Sequence, residues 1–515
     1  MIPPQPQLIP PEIPGEAFIG FARRLATNAA RAPGAPAVID ENRRLDWGRF
    51  AKLVARIAGG LSARGIGRGD MVATLASNSV EHIAVYCAII HAGACVVPLP
   101  WSATEAALQL MLRDCGARIL FASAAHAETA GRLGADELVM VDALEDWIGG
   151  APAIPPVEVL PTDPINMIYS SGTTGAPKGI VHDHRFRARQ AGRVAQYGVG
   201  PGARSLISTP LYSNTTLFLA LPTLSSGATL ISMSRFDTTR FLEVAQVEHV
   251  THAVLVPVQY MRLMDTPGFD TADLSAFVCK FSTSAPLPGA MKAQVMARWP
   301  GNLIELYGMT EGGVSVMLDC AAHPDKLDTV GRPSPGADIR IIDEDGNELP
   351  PGAFGEIVGR SGAMMQRYHN QPEKTAEIIW RSPEGLDFIR SGDMGRFDAD
   401  GFLQLLDRKK DMIISGGFNI YATDLEAALR SHPAVADVAV IGVPSDAWGE
   451  TPLGLVVPRP GHDATPQALC DHANAQLGKT QRLSAVELRD SLPRSEIGKV
   501  LKRELRAPYW AKTTA

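Results

Sequence analysis

The sequence has no CxxC pair and no cysteine spacing that would frame a disulfide network or a zinc site. Its six cysteines, Cys87, Cys95, Cys115, Cys279, Cys320 and Cys470, stand apart in apolar surroundings. They read as reduced, mostly buried thiols. A basic excess is also missing: 48 Lys and Arg against 55 Asp and Glu give a net charge of -7. A chain-wide field for nucleic acid is thereby excluded. No long unbroken apolar run occurs. The most apolar stretch, 83–99, contains His91 and Gly93 and ends among Pro98 and Pro100. It is too interrupted for a membrane span of about 20 residues and reads as a buried helix running into a short strand. The N-terminus, Met1-Ile2-Pro3-Pro4, lacks a basic region followed by an apolar core, so no signal peptide is expected. With no targeting tripeptide at the C-terminus, the expected location is the cytoplasm. Gly65, Gly67 and Gly69 precede a strand and miss the GxGxxG spacing, so they read as a helix-to-strand turn.

What is present is ordinary globular chemistry. The 515 residues are 45% hydrophobic, enough for about three domain-sized units or one large domain and a smaller one. Apolar residues at helical spacing over 53–64, the glycine turn, and a strand at 71–75 set a helix–turn–strand rhythm that predicts α/β layers. Prolines at 155–161 mark a linker before a strand at 165–169. A glycine- and charge-rich region, 331–401, holds a strand at 339–342 and the turn pairs Asp345-Gly346 and Asp400-Gly401. The charged run Asp407-Arg408-Lys409-Lys410-Asp411 then precedes a helix at 423–430 and a strand at 435–443. The prediction is a mixed α/β fold. Residues 1–409 form a large N-terminal domain of layered sheets and helices with a β-rich subdomain. Residues 410–515 form a small C-terminal α/β domain, with the boundary near Lys410.

The densest chemical signal is Tyr169-Ser170-Ser171-Gly172-Thr173-Thr174-Gly175-Ala176-Pro177-Lys178-Gly179, which follows an apolar strand. Glycines let backbone N–H groups turn toward an anion, hydroxyls add donors, and Lys178 adds charge. This is the composition of a phosphate cradle. It is not a Walker A loop, because GxxxxGK[ST] is unmet. His182-Asp183-His184 invites a metal reading, but no third or fourth ligand is visible, and a structural or phosphate-adjacent role is favoured.

Four further segments follow in order: Tyr307-Gly308-Met309-Thr310-Glu311, Ser391-Gly392-Asp393, the run from Asp407-Arg408 to Gly417, and Pro493-Arg494-Ser495-Glu496-Ile497-Gly498-Lys499. Together with the hydroxyl-rich loop they resemble the adenylate-forming superfamily of acyl- and aryl-CoA synthetases, nonribosomal adenylation domains and firefly luciferase. The matches run in order across nearly the whole chain, with Ser391 where the family carries Thr.

The resemblance implies ATP, Mg²⁺ and coenzyme A as ligands, and each residue suits its implied part. Ser170, Ser171, Gly172, Thr173, Thr174, Gly175 and Lys178 would hold phosphate. Tyr307, with Gly308 and Met309 after it, would offer adenine an aromatic face, and Ser284 and Ala285 would lie on the other side. Thr310 would contact phosphate, while Glu311, with Thr174, would supply hard oxygen to Mg²⁺. Asp393 and Arg408 would take the ribose hydroxyls. Lys499 is the implied catalytic cation of adenylation, offsetting the repulsion between an attacking carboxylate and the α-phosphate. After Pro493 the chain carries six Lys and Arg against two Glu, a local net of +4. Lys410 is the implied hinge of a mobile C-terminal domain, and Gly417 would line the pantetheine channel, where a side chain would obstruct the thiol.

Ser213, in Pro210-Leu211-Tyr212-Ser213-Asn214-Thr215, stands where many relatives carry His, which bears on the acyl pocket. The expected reaction is a two-step ligation of a fatty or aryl acid to CoA through an acyl-adenylate. Transfer to a separate acyl carrier protein stays open. An α-amino acid is disfavoured, because 210–222 holds no carboxylate to pair with the amine, and the chain ends sixteen residues after Lys499, leaving no room for a fused carrier domain. The apolar segments 254–258 and 314–318 are expected to wall the pocket, and Arg235 and Arg262 stay open as partners for a second substrate carboxylate. The expected partners are these small molecules, with no nucleic acid and no membrane span; a homodimer stays open.

Overall fold

A helix that is apolar on all sides must be covered on all sides. Two such helices organise the large unit. In Val80–His91 every residue but Glu81 is buried, and Asn214–Ser226 is buried from Thr215 to Ser225. Their side chains share one apolar cluster with strand residues of two sheets, among them Val38, Ile207 and Val254 of one and Val72, Val96 and Phe121 of the other. The expected buried helix and strand over 83–99 are thus Val80–His91 and Cys95–Pro98.

The computed structural model describes residues 17–170, 177–408, 413–415, 418–445, 447–462, 464–477, 482–495 and 498–510. The first sheet has nine strands and runs from the edge strand Arg332–Pro333 through Ser315–Asp319, Asn302–Gly308, Cys279–Ser282, His252–Leu255, Arg204–Ile207 and Thr229–Ser232 to Pro36–Ile39 and Arg44–Asp46. Its centre is parallel and its outer pairs antiparallel. The second has seven, from Arg367–Tyr368 through Lys178–Asp183, Pro164–Ser170, Cys95–Pro98 and Met71–Leu75 to Ile119–Ala122 and Glu137–Met140. All six cysteines are buried and free, as their apolar surroundings predict.

The chain groups into two compact units, residues 1–339 with 359–389, and residues 340–358 with 390–515. The sequence-based boundary near Lys410 lies outside the described residues, and the β-rich segments before it group with the C-terminal part. In that second unit, the hairpin Val435–Ser445 and Gly449–Pro458 alternates its side chains between two faces. Val438, Val440 and Val456 pack with the helices Ala422–Arg430 and Pro466–Gln476, while Ala439, Ile441 and Leu455 face Leu505 and Tyr509 of the helix Lys502–Trp510. This period of two is what a strand buried on both faces requires. Among the described residues, no helix is long and apolar enough to cross a membrane.

Candidate functional site

The hydroxyl-rich loop joins two antiparallel strands, Pro164–Ser170 and Lys178–Asp183, with Ser170 and Lys178 as cross-strand partners. Ser171, Gly172, Thr173, Thr174 and Gly175 lie outside the described residues. The loop's base is anchored: the Tyr169 hydroxyl donates at 2.6 Å to Asp114 Oδ2, in the last turn of the helix Glu105–Cys115.

Tyr307 and Gly308 end the strand Asn302–Gly308, pairing with Val316 and Ser315. A Cβ on Gly308 would meet the Val314 carbonyl at 2.8 Å. Gly312, just past Glu311, has φ +73° and would place a Cβ 2.2 Å from the Ala363 carbonyl. Only glycine fits either approach. The turn is also held by the Met365 N–H, which donates to the Glu311 carbonyl at 2.7 Å. Met309 packs beside Met364, Met365 and Tyr368.

Two side chains fix this turn from beneath. His182 Nε2 lies 2.7 Å from the Thr310 carbonyl and therefore carries the proton, leaving Nδ1 to accept from Asn166 Nδ2 at 3.1 Å and from Arg187. Arg187 in turn donates to Asn166, Gln190 and Asn214, at 2.8–2.9 Å. Its guanidinium is buried, and among the described residues no carboxylate touches it; burial brings it down to about 10, so it remains a cation at neutral pH. Glu311 Oε1 accepts from the Tyr368 hydroxyl at 2.7 Å, and Lys178 Nζ lies 5.1 Å from the centre of the Tyr368 ring.

On the expected adenine side, Ser284 adopts a left-handed φ of +77° and its hydroxyl bonds that of Thr215. Ala285 is half-buried beside it. Glu305, two residues before Tyr307, accepts from the Leu287 N–H at 2.7 Å and forms an ion pair with Lys292, both side chains 2% exposed. Lys292 also donates to the Leu327 and Thr329 carbonyls. Ser213, in place of a histidine, caps the helix Asn214–Ser226, accepting from Thr215 N–H at 3.3 Å. Val254 of the expected pocket wall lies in the core cluster, and Arg262 stacks over Phe236.

In the second unit, Asp393 and Arg408 are direct cross-strand partners on Asp387–Phe397 and Leu403–Arg408, which brings the two expected ribose-binding residues together. Ser391 Oγ accepts from the Asp393 N–H at 3.0 Å and donates to the Ile357 carbonyl. Ser therefore does here the backbone-bracing that a Thr hydroxyl would do. Lys499 closes a tight turn: the Ser495 N–H donates to its carbonyl at 2.8 Å and its own N–H reaches Ser495 Oγ. Arg494 grips the Gly498 carbonyl and pairs with Asp437 at 2.6 Å, holding the turn against the hairpin. Lys410 and Gly417 lie outside the described residues.

The donor set fits a nucleotide with a hard cation. Among the described residues, no three His, Cys, Asp or Glu gather as a metal cage. A divalent ion that keeps phosphate oxygens as ligands needs only one or two carboxylates from the protein, and Glu311 offers one, with Oε2 left when Oε1 takes the tyrosine proton. The metal reading of His182-Asp183-His184 fails: His182 holds Thr310, Asp183 caps the helix His184–Ala195, and both ring nitrogens of His184 are buried with no hydrogen-bond partner among the described residues.

These histidines set an acid limit. Burial pulls His82 and His184 down to about 4 and His182 well below its usual value, while Asp183 is pushed up to about 6. A depressed histidine favours the fold fully above about 6.5, and that stability drains as pH falls toward 4. His82 and His184 each lose about 2 kcal/mol by pH 5, and Asp183 returns about 1. Urea midpoints at pH 7 and pH 5 should therefore differ, with the lower value at pH 5; equal midpoints would contradict the burial of neutral rings.

The sequence profile of the AMP-binding enzyme family matches residues 25–369, and that of the AMP-binding enzyme C-terminal domain matches 424–499. This chain is an AMP-binding enzyme. Its relatives in that family differ in what they do with the activated acid. It is 35% identical to a feruloyl-CoA synthase of an Amycolatopsis species, over 93% of this chain and 97% of that one. It is 32% identical to a fatty acid–acyl-carrier-protein ligase of Streptomyces coeruleorubidus, over 94% and 95%. The amide bond synthetase McbA of Marinactinospora thermotolerans superposes with a TM-score of 0.85 at 28% identity, covering 95% and 99%. The layered N-terminal part and small C-terminal part are those of the adenylate-forming fold, and the AMP-forming acid ligases are the class to which this family member belongs.

Tyr368, Arg187 and the Lys292–Glu305 pair escape the sequence reading. Arg187 and Tyr368 lie far in sequence from the turn they support, and Lys292 meets Glu305 only because helix packing turns it inward.

Proposed function

We propose that this chain is an AMP-forming carboxylic acid:CoA ligase for a fatty or aryl acid. The observation that carries the reading is the Tyr307–Glu311 turn, held at its Thr310 carbonyl by His182 and at its Glu311 carboxylate by Tyr368, with Lys178 over the Tyr368 ring. Tyr307 gives adenine a face, Thr310 and Lys178 hold phosphate, and Asp393 with Arg408 takes the ribose. A divalent cation bound at Glu311 supplies charge neutralisation to the phosphates. Lys499, on its braced turn, offsets charge on the α-phosphoryl oxygens as the carboxylate attacks. Lys410 is the hinge by which residues 410–515 exchange Lys499 for the CoA channel lined by Gly417.

The carrier-protein reading has support in the Streptomyces relative. A release assay over short, medium and long fatty acids, benzoates and hydroxycinnamates, with CoA and an acyl carrier protein as alternative acceptors, separates the two. The proposal expects acid-dependent pyrophosphate release and AMP release that CoA accelerates; AMP release that responds to the carrier protein alone refutes the CoA assignment. Gly417→Leu should slow thioester formation far more than adenylation, and equal slowing removes Gly417 from the thiol channel.

A further inference from the structure

The strand Arg367–Tyr368 adds one short rung to the seven-stranded sheet, pairing Tyr368 with Ile180, two residues after Lys178. The backbone there is pinned further: the Tyr368 N–H donates to Thr375 Oγ1 at 3.0 Å, and Gln371 Nε2 donates to the Pro177 carbonyl at 3.2 Å. The side chain is 2% exposed and packs with Ile180, Met364, Met365 and Ile389. Its two ends do different things. The hydroxyl donates to Glu311 Oε1 at 2.7 Å, and the ring face carries the Lys178 ammonium at 5.1 Å.

We propose that Tyr368 is the positioning residue of the phosphate–metal site, orienting Glu311 toward the divalent cation through its hydroxyl and Lys178 toward phosphate through its ring. The proposal rests on the reading of Glu311 as a cation ligand. A carboxylate on a turn can rotate and present either oxygen. A hydrogen bond to Oε1 stops that rotation and dedicates Oε2 to the ion, the arrangement that supporting residues give metal-ligating carboxylates generally. The ring's negative face draws the Lys178 ammonium to one side of the loop and limits where it can meet phosphate. One rigid side chain, with two torsions, thereby sets the separation between the site's negative ligand for the ion and its positive ligand for ATP.

The two ends can be cut separately, and ATP binding without acid reads both with no turnover. ATP affinity is measured by calorimetry on the full-length protein, once with excess Mg²⁺ and once with EDTA. Y368F keeps the ring and its packing but removes the hydroxyl. It should weaken ATP binding in Mg²⁺ by roughly ten- to a hundred-fold, the usual cost of losing a residue that orients a metal ligand. In EDTA its affinity should stay within about two-fold of wild type, since the cation–ring contact survives. Y368L loses both ends and should weaken binding in both media. E311Q serves as the comparator. If E311Q loses the Mg²⁺ dependence and Y368F retains it, the tyrosine does not orient Glu311 and the proposal falls alone. If E311Q keeps the Mg²⁺ dependence, the ligand reading of Glu311 falls and takes the proposal with it. An equal loss for Y368F in both media would mark a packing role only and also overturns it.

Discussion

Lys499→Ala is expected to reduce acid-dependent ATP–pyrophosphate exchange to background while leaving thioester formation from a presynthesised acyl-adenylate largely intact. In the first half-reaction a carboxylate approaches the α-phosphate and two anions are forced together. Charge on the non-bridging oxygens grows most at the transition state, so a preplaced ammonium acts there more than in the ground state. Removing one such fixed donor commonly costs about a hundred- to a thousand-fold in rate. Lys499 sits in a turn closed by Ser495 and clamped by Arg494 between the Gly498 carbonyl and Asp437, so its backbone has little freedom. In the second half-reaction the adenylate is already formed and AMP leaves, so the same ammonium is not called upon. Full exchange in the variant would remove Lys499 from the chemistry. Equal loss of both half-reactions would mean that the turn, and not the charge, is what matters.

Lys292→Met should cost about 3–5 kcal/mol of stability, the toll of stranding a buried charge. Among the described residues, Glu305 would be left 2% exposed with only the Leu287 N–H as partner, and burial already pushes its carboxyl upward. The expectation is a lower denaturation midpoint for the single variant and a clear recovery in Lys292→Met/Glu305→Leu, where neither charge remains. A functional consequence should accompany it. Glu305 ties Leu287, at the end of the loop carrying Ser284 and Ala285, to the strand carrying Tyr307, so the ATP KM should rise in the single variant even where it is folded. An unchanged midpoint in Lys292→Met would show that the pair contributes nothing net.

The layered fold was legible in the sequence because its signals are local. The glycine turn before Met71–Leu75, the apolar run that becomes Val80–His91 and Cys95–Pro98, and the alternating Val435–Ser445 all announce themselves within a dozen residues. The hydroxyl-rich loop reads as a phosphate cradle because Ser, Thr, Gly and Lys at that density have few other uses, and its residues 171–176 lie outside the described residues. What supports those loops was not. His182 was seen, but its task, donating to a carbonyl 128 residues away, follows from the pairing of Lys178–Asp183 in one sheet and the end of Asn302–Gly308 in another. Tyr368, among Gln366, Arg367, His369 and Asn370, has nothing in the sequence to mark it until a two-residue strand seats it between Lys178 and Glu311. Lys292 looks like a surface lysine on a helix, and only the packing of Gly289–Arg298 turns it inward. Ser213 shows the converse. Its departure from the family's histidine is plain in the sequence, and the structure gives it a helix-capping role.

In the proposed reaction the acid attacks the α-phosphorus of ATP. With an acid taken from the release assay and labelled with ¹⁸O in its carboxylate, mass spectrometry of the nucleotide product after CoA-driven turnover tests this directly. The expected product is AMP carrying one ¹⁸O, delivered when the carboxylate oxygen becomes the bridge of the acyl-adenylate and departs with the phosphate. Label appearing in inorganic phosphate, with ADP as the nucleotide product, would contradict it.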